Sequence, residues 1–188
     1  KVLQSFSFPI ASKPTALLFD SEQQLLGEII HEKSISELVQ QYYLTGLFQP
    51  LQESLEYSSD SLENPSVIKL NLDALNHSFW KLRQIAIENL ASYQGNQKEM
   101  IIEKLKVLAL NDSSSKVRAS AFQSLCHIDK EKKIKGFYSE GLKDSSYTVV
   151  TSSLKCLLEN EIPDISNVIQ PYLTSSNTHL IVLLAKVF

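Results

Sequence analysis

The chain is 188 residues long, with 43% hydrophobic and 21% charged residues, enough apolar material for the core of one ordinary domain. Its 18 Lys and Arg are balanced by 21 Asp and Glu for a formal charge of -3, so composition offers no basic field for nucleic acid or anionic lipid. The apolar runs Ala16 to Phe19 and Leu180 to Ala185 are typical of the longest, and both fall far short of the roughly 20 residues that span a bilayer.

Lys1 is not an initiator Met and no charged leader with an apolar run succeeds it, so the sequence is expected to be a piece of a longer polypeptide. Residues 1–32 read as a β segment. Phe6, Phe8 and Ile10 alternate, Leu17 to Phe19 form a second apolar run and Leu25 to Ile30 a third. Ser12-Lys13-Pro14 and Asp20-Ser21-Glu22 between them carry turn chemistry. So small a sheet does not stand alone; it is expected to pack on the residues downstream of it or to join strands upstream.

From 33 to 188 the apolar period is helical. Ser34 and Glu37 form a capping box that opens a helix to about Tyr43, with Leu38, Tyr42 and Tyr43 on its inward stripe, the tyrosines packing against the strand segment. Further helices are predicted at 48–58, 64–75, 78–93, 96–110, 114–127, 130–143, 146–160, 164–173 and 177–187. That makes about ten helices, joined by short connections that set neighbours antiparallel.

An internal repeat organises them. The runs Leu75 to Leu90, Leu110 to Leu125 and Leu142 to Leu157 align at offsets of 35 and 32 residues. Each joins a helix ending in Leu, a polar turn with His77, Asp112 or Asp144, and a helix with aliphatic, small and aliphatic residues four apart. Those trios are Leu82, Ala86, Leu90; Val117, Ala121, Leu125; and Val149, Ser153, Leu157. A small middle residue lets helix backbones approach closely, and the repeat itself is the signature of a helical solenoid. Asp112 is placed to cap the second helix of its unit, with Arg118 reaching back to that carboxylate or to the turn's carbonyls. The third unit has Val150 where Arg is expected, which predicts different packing there.

Leu110-x-Asp112, Val117-Arg118, Ala121 and Leu125 resemble a HEAT repeat, and Leu75 to Leu90 resembles one almost as well. They are preceded by Ser12-Lys13-Pro14, Leu18-Phe19-Asp20, Leu25-Leu26-Gly27-Glu28-Ile29 and Lys33-Ser34-x-x-Glu37-Leu38-x-Gln40-Gln41-Tyr42. This strand, strand, helix entry resembles the C-terminal part of zinc aminopeptidases of the aminopeptidase N type. The resemblance implies that residues 1–32 end a small β-sandwich and that 33–188 form a HEAT-like α-α superhelix. It also implies a non-catalytic role: shaping and gating the peptide cavity of a parent enzyme whose zinc and catalytic domain lie upstream. Peptides and that upstream domain are the implied partners. HExxH and GxMEN do not occur here, as His31-Glu32 is followed by Lys33-Ser34-Ile35, so no catalytic, cofactor or metal residue carries over. The alternative is a stand-alone HEAT-repeat scaffold that binds a protein on its concave face; the repeats fit both, and the β segment favours the peptidase.

The remaining candidates have structural readings. His31, His77, His127 and His179 are 46 to 52 residues apart, without metal-ligand spacing, and His77 sits where Asp112 does in the next unit, a capping position. Phe79 and Trp80 read as packing between repeats more than as a recognition surface. The serines at 113–115 and 145–146 read as turn and cap residues. Lys130-Glu-Lys-Lys133 reads as a solvated helix start. Cys126 and Cys156 lack CxxC spacing and are expected to be free thiols in apolar helical patterns. The five glycines form no phosphate cradle. The last helix, 177–187, is apolar on nearly all sides, so either earlier repeats wrap it or another domain or subunit normally covers it; the apolar end is expected to drive self-association at high concentration.

Overall fold

A computed structural model describes residues 5, 7–20, 22, 24–26, 31–160 and 165–185. Within these the chain is mainly helical. In order come α1 (Ile35–Leu44), α2 (Phe48–Tyr57), α3 (Pro65–Ala74), α4 (Trp80–Leu90), α5 (Lys98–Asn111) and α6 (Ser115–Ile128). A 3-10 helix (Lys135–Lys143) leads to α7 (Tyr147–Glu159), α8 (Ile165–Ile169), a 3-10 turn (Gln170–Tyr172) and α9 (Thr178–Leu184).

Consecutive helices pair, α1 with α2, α3 with α4, α5 with α6 and the 3-10 helix with α7. The second helix of each pair packs on the second helix of the next, α2 on α4, α4 on α6 and α6 on α7, while α1 meets α3 and α5 meets the 3-10 helix. The result is two layers of helices with the core between them. All nine members of the aliphatic, small and aliphatic trios lie in that core, none more than 1% exposed. A repeating sequence register has thus become a repeating contact layer, in which the small middle residues keep the backbones close.

Local signals set the helix starts. Ser34 accepts the Glu37 N–H at 3.3 Å, and the Glu37 carboxylate accepts the Ser34 N–H at 2.9 Å, a complete capping box. The Ser34 hydroxyl also donates to that carboxylate at 2.7 Å, and this bond together with the one from the Ser34 N–H holds the Glu37 carboxyl below its usual value. Pro65 opens α3, and the Asn64 side chain accepts the Ser66 N–H at 2.9 Å. Asn64→Ala is expected to cost about 1 kcal/mol and Asn64→Gly only a few tenths, measured as shifts in the urea midpoint; an unchanged midpoint in Asn64→Ala would show that the cap bond contributes nothing.

Four expectations need correction. No strand occurs among the described residues of 5–26, and 27–30, most of the third run, lie outside the described residues. The turn at Asp20 is present: its carboxylate accepts the N–H groups of Gln24 and Leu25 at 2.8 and 2.9 Å. Among the described residues the flanking runs meet no partner strand, and Phe8, Ile10, Leu17 and Phe19 stay exposed, so no burial there offsets the cost of ordering a strand. The helix predicted from Lys130 instead begins at Lys135 as 3-10. The Asp129 carboxylate accepts the N–H groups of Lys133 and Ile134 and Lys132 has a left-handed φ of 54°, so Lys130 to Lys133 form a turn. Tyr42 is buried but Tyr43 is not. Positions 38 and 42 share a helix face and 43 leaves it, so Tyr43 donates from its hydroxyl to Asp73 of α3 at 2.7 Å rather than packing on a strand. Finally, the helix predicted at 164–173 breaks into α8 and a 3-10 turn at Pro171, which has no N–H to continue the ladder.

The unit with Val150 is indeed packed differently. Val150, Leu154, Ile169, Leu180 and Leu184 form a second apolar cluster, so α7 meets α9 through hydrocarbon. Asn177 caps α9, accepting the His179 and Leu180 N–H groups. Two faces of α9 therefore differ: Leu180 and Leu184 are buried, whereas Ile181 and Val182 are half-exposed.

Candidate functional site

The turns that join the two helices of each pair form one edge of the stack, and its chemistry is built on a ladder of ion pairs. Arg83 of α4 makes a two-pronged contact with Asp112, Nε to Oδ2 and Nη2 to Oδ1, both 2.7 Å. Arg118 of α6 does the same with Asp144 at 2.7 and 2.9 Å. The third guanidinium nitrogen in each case donates to carbonyls of the arginine's own turn: Arg83 Nη1 to His77 and Ser78, Arg118 Nη1 to Asp112. Each arginine therefore locks the turn of its own unit to the turn of the next.

Each turn closes in the same way. The N–H of the N-cap residue donates to a side chain two positions earlier: Phe79 to His77 Nδ1, Ser114 to Asp112, Ser146 to Asp144. His77 thus takes the place of the aspartates in its turn, as its alignment predicts. Asp112 accepts from the Ser114 N–H and so braces the turn rather than capping an N–H in the first turn of α6, and its partner arginine is Arg83 of the preceding unit. Arg118 reaches the turn carbonyl of its own unit and the carboxylate of the following one. Burial alone would raise the Asp112 pKa, but hydrogen bonds from Arg83 and from the Ser114 N–H outweigh it and hold the carboxyl below its usual value. Asp144 is likewise lowered, first by its bonds to Arg118. Val150 ends the ladder, because its neighbours in the second cluster are apolar.

The same edge carries exposed apolar side chains. Phe48 at the start of α2 meets Phe79 edge-on with ring centroids 5.1 Å apart, Phe79 meets Trp80 at 5.9 Å, and the Lys116 ammonium lies 4.5 Å from the Trp80 ring centroid. Trp80 packs on the main core, as expected for packing between repeats. Phe79 is 42% exposed and Phe48 40%, so the row is a surface as well. Val107, exposed on α5, lines a shallow groove of about 440 Å³ that also includes His77, Arg83 and Asp112. A larger groove of about 700 Å³ lies among the loops between pairs, lined by Asp60, Glu63, Tyr93, Gln94 and Asn96 among others.

Gln41 had no assigned role, yet it is fully buried on the α1 stripe. Its amide donates to the Pro50 carbonyl at 2.8 Å and its oxygen accepts from the Lys33 ammonium at 2.8 Å, while Lys33 pairs with Glu53 at 3.0 Å. This polar knot docks the chain entering α1 onto α2. A glutamine three positions after Leu38 was the available signal, since that spacing returns to the same helix face.

The candidates for chemistry remain apart. His31 and His77 are half-buried, and His127 and His179 are exposed. Among the described residues no three His, Cys, Asp or Glu side chains are grouped to hold a metal. No described helix is long and apolar enough to cross a membrane. Ser114 and Ser146 are the N-cap residues of α6 and α7, in keeping with their reading as turn and cap residues. Comparison of the sequence with protein-family models, with curated proteins and with solved structures yields no match.

Proposed function

We propose that this chain is the non-catalytic C-terminal part of an aminopeptidase N-type zinc peptidase, a HEAT-like α-α superhelix that shapes and gates the peptide cavity of its parent. The observation that carries the reading is the segment ahead of α1. Phe8, Ile10, Leu17, Phe19 and Leu26 are all exposed there, immediately before a polar knot that docks the following residues onto α2. Apolar residues in such a run call for a covering surface, and the end of a β-sandwich belonging to the same polypeptide would supply it. The arginine ladder adds support, because it keeps the stacked pairs rigid enough to wall a cavity.

In such an enzyme the zinc would be held upstream and would supply Lewis-acid activation of water. The described residues of this chain offer no donor set for it, and no chemical step is assigned to them. The test is to express the full reading frame that contains this chain and to assay it, beside the 188-residue chain, for bound zinc and for release of N-terminal residues from short peptides. Zinc-dependent release by the longer protein, with none by the chain alone, is the expected result. A longer protein without zinc or peptidase activity overturns the reading.

The exposed pair of Phe48 and Phe79, edge-on to each other, favours a second reading, a HEAT-repeat scaffold that binds a protein partner. It takes over if the longer protein proves metal-free.

A further inference from the structure

Across the interface of α6 and α7 the two cysteines of the chain meet. Asn160 holds both: its side-chain amide donates to the Cys126 sulfur at 3.5 Å and to the Cys156 carbonyl at 2.8 Å. The Cys126 thiol is oriented toward the Glu159 carboxylate at 3.4 Å, and the Cys156 thiol toward the Phe122 carbonyl at 3.4 Å. Phe122 lies one helical turn before Cys126, so the Cys156 thiol sits against the stretch of α6 that carries Cys126. Cys126 is partly exposed, whereas Cys156 is buried. We propose that Cys126 and Cys156 form a reversible oxidative modification site, in which a hydroperoxide oxidises Cys126 and Cys156 then closes an intramolecular disulfide between α6 and α7.

The roles follow from the environment. The nearby Cys156 lowers the Cys126 pKa against the opposing pull of burial and the Glu159 carboxylate, while Cys126 and burial raise that of Cys156. The exposed thiol is therefore the better source of thiolate, the form that attacks peroxide. Glu159 is placed to accept the Cys126 proton. The thiolate sulfur attacks one peroxide oxygen, the O–O bond breaks, and the distal oxygen leaves as hydroxide and is protonated to water. The Cys126 sulfenic acid is then attacked by the Cys156 sulfur. The S–O bond breaks, its hydroxyl leaves as water with the Cys156 proton, and the S–S bond forms. Two thiols lose two electrons in total, and one peroxide becomes two waters. Thioredoxin-class dithiols would reverse it.

The experiment treats the reduced 188-residue chain with a few equivalents of hydrogen peroxide under native conditions, quenches with N-ethylmaleimide and measures intact and peptide masses. The expected product has lost two hydrogens, takes up no maleimide and yields a cross-link between the tryptic peptide containing Cys126 and the one beginning at Cys156. C156S is expected to accumulate a dimedone-reactive sulfenic acid at Cys126. Without peroxide, Cys126 is expected to alkylate at least ten times faster than Cys156. Two free thiols after peroxide in a chain that retains its helical circular dichroism overturn the proposal, and so does a disulfide found only between molecules.

Discussion

Asp112→Ala is expected to lower the unfolding free energy by about 3 kcal/mol, the scale for removing one partner from a buried ion pair. The Arg83 side chain is 11% exposed and that of Asp112 4%, so water would not easily replace the lost carboxylate. Two carbonyls still accept from Arg83 Nη1, which keeps the loss at the low end of that range. The variant also frees the Ser114 N–H. Asp144→Ala, where the corresponding side chains are 15% and 14% exposed, should cost less, about 2 kcal/mol. Urea midpoints measure both, and an Asp112→Ala midpoint equal to that of the parent would show that the ladder adds no stability.

The same pairs give the chain an acid limb. The folded pKa values of Asp112 and Asp144 lie below the reference of 3.8. Stability from these groups is therefore fully present above the unfolded value and is lost as pH falls from there through the folded values. The urea midpoint should drop below about pH 4, and the drop should be shallower in Asp112→Ala.

Much of this architecture was legible because it repeats. The trios were read from three aligned segments, and every member is in the core. The start of the first helix followed from the cap of Ser34 with Glu37. What was not legible depended on partners remote in sequence. Arg118 has Asp112 six residues away and Asp144 26 away, and sequence proximity pointed to the first carboxylate, whereas stacking presents the second. No strand forms among the described residues of 5–26, for a related reason: alternation marks a face that wants covering, but only a neighbouring strand turns that into a sheet. At Lys130 to Lys133, the charge pattern matched a helix, but the Asp129 carboxylate offered its N–H groups a competing turn. Asn160, which joins the two cysteines, gave no signal in the repeat because its contacts belong to one interface alone.

Gly141→Val is expected to be as damaging as any single change in the stack, about 3 kcal/mol by overpacking. Gly141 lies in the 3-10 helix directly before Leu142, and the aligned residues before Leu75 and Leu110 are Ala74 and Ala109, both buried. This is a second column of small residues, facing the one formed by Ala86, Ala121 and Ser153 in the aligned helices. The third unit has the larger Ser153 on α7, whose hydroxyl donates to the Tyr138 carbonyl, and it carries glycine opposite. A Cβ on Gly141 would stand 2.7 Å from the Ser153 Cβ and 2.8 Å from the Phe122 Cζ. Neither neighbour can yield cheaply, since one is attached directly to helical backbone and the other is a fully buried ring. Even Gly141→Ala should therefore destabilise, although alanine is ordinarily the better helix former. Gly136, in the same 3-10 helix, has nothing within 4 Å of its Cβ position, so Gly136→Ala should stay within about 0.5 kcal/mol of the parent. Thermal unfolding of the three variants side by side decides the matter: a large loss at 141 with none at 136 marks close backbone approach as the cause, whereas equal losses would place it in the helix propensity of the segment.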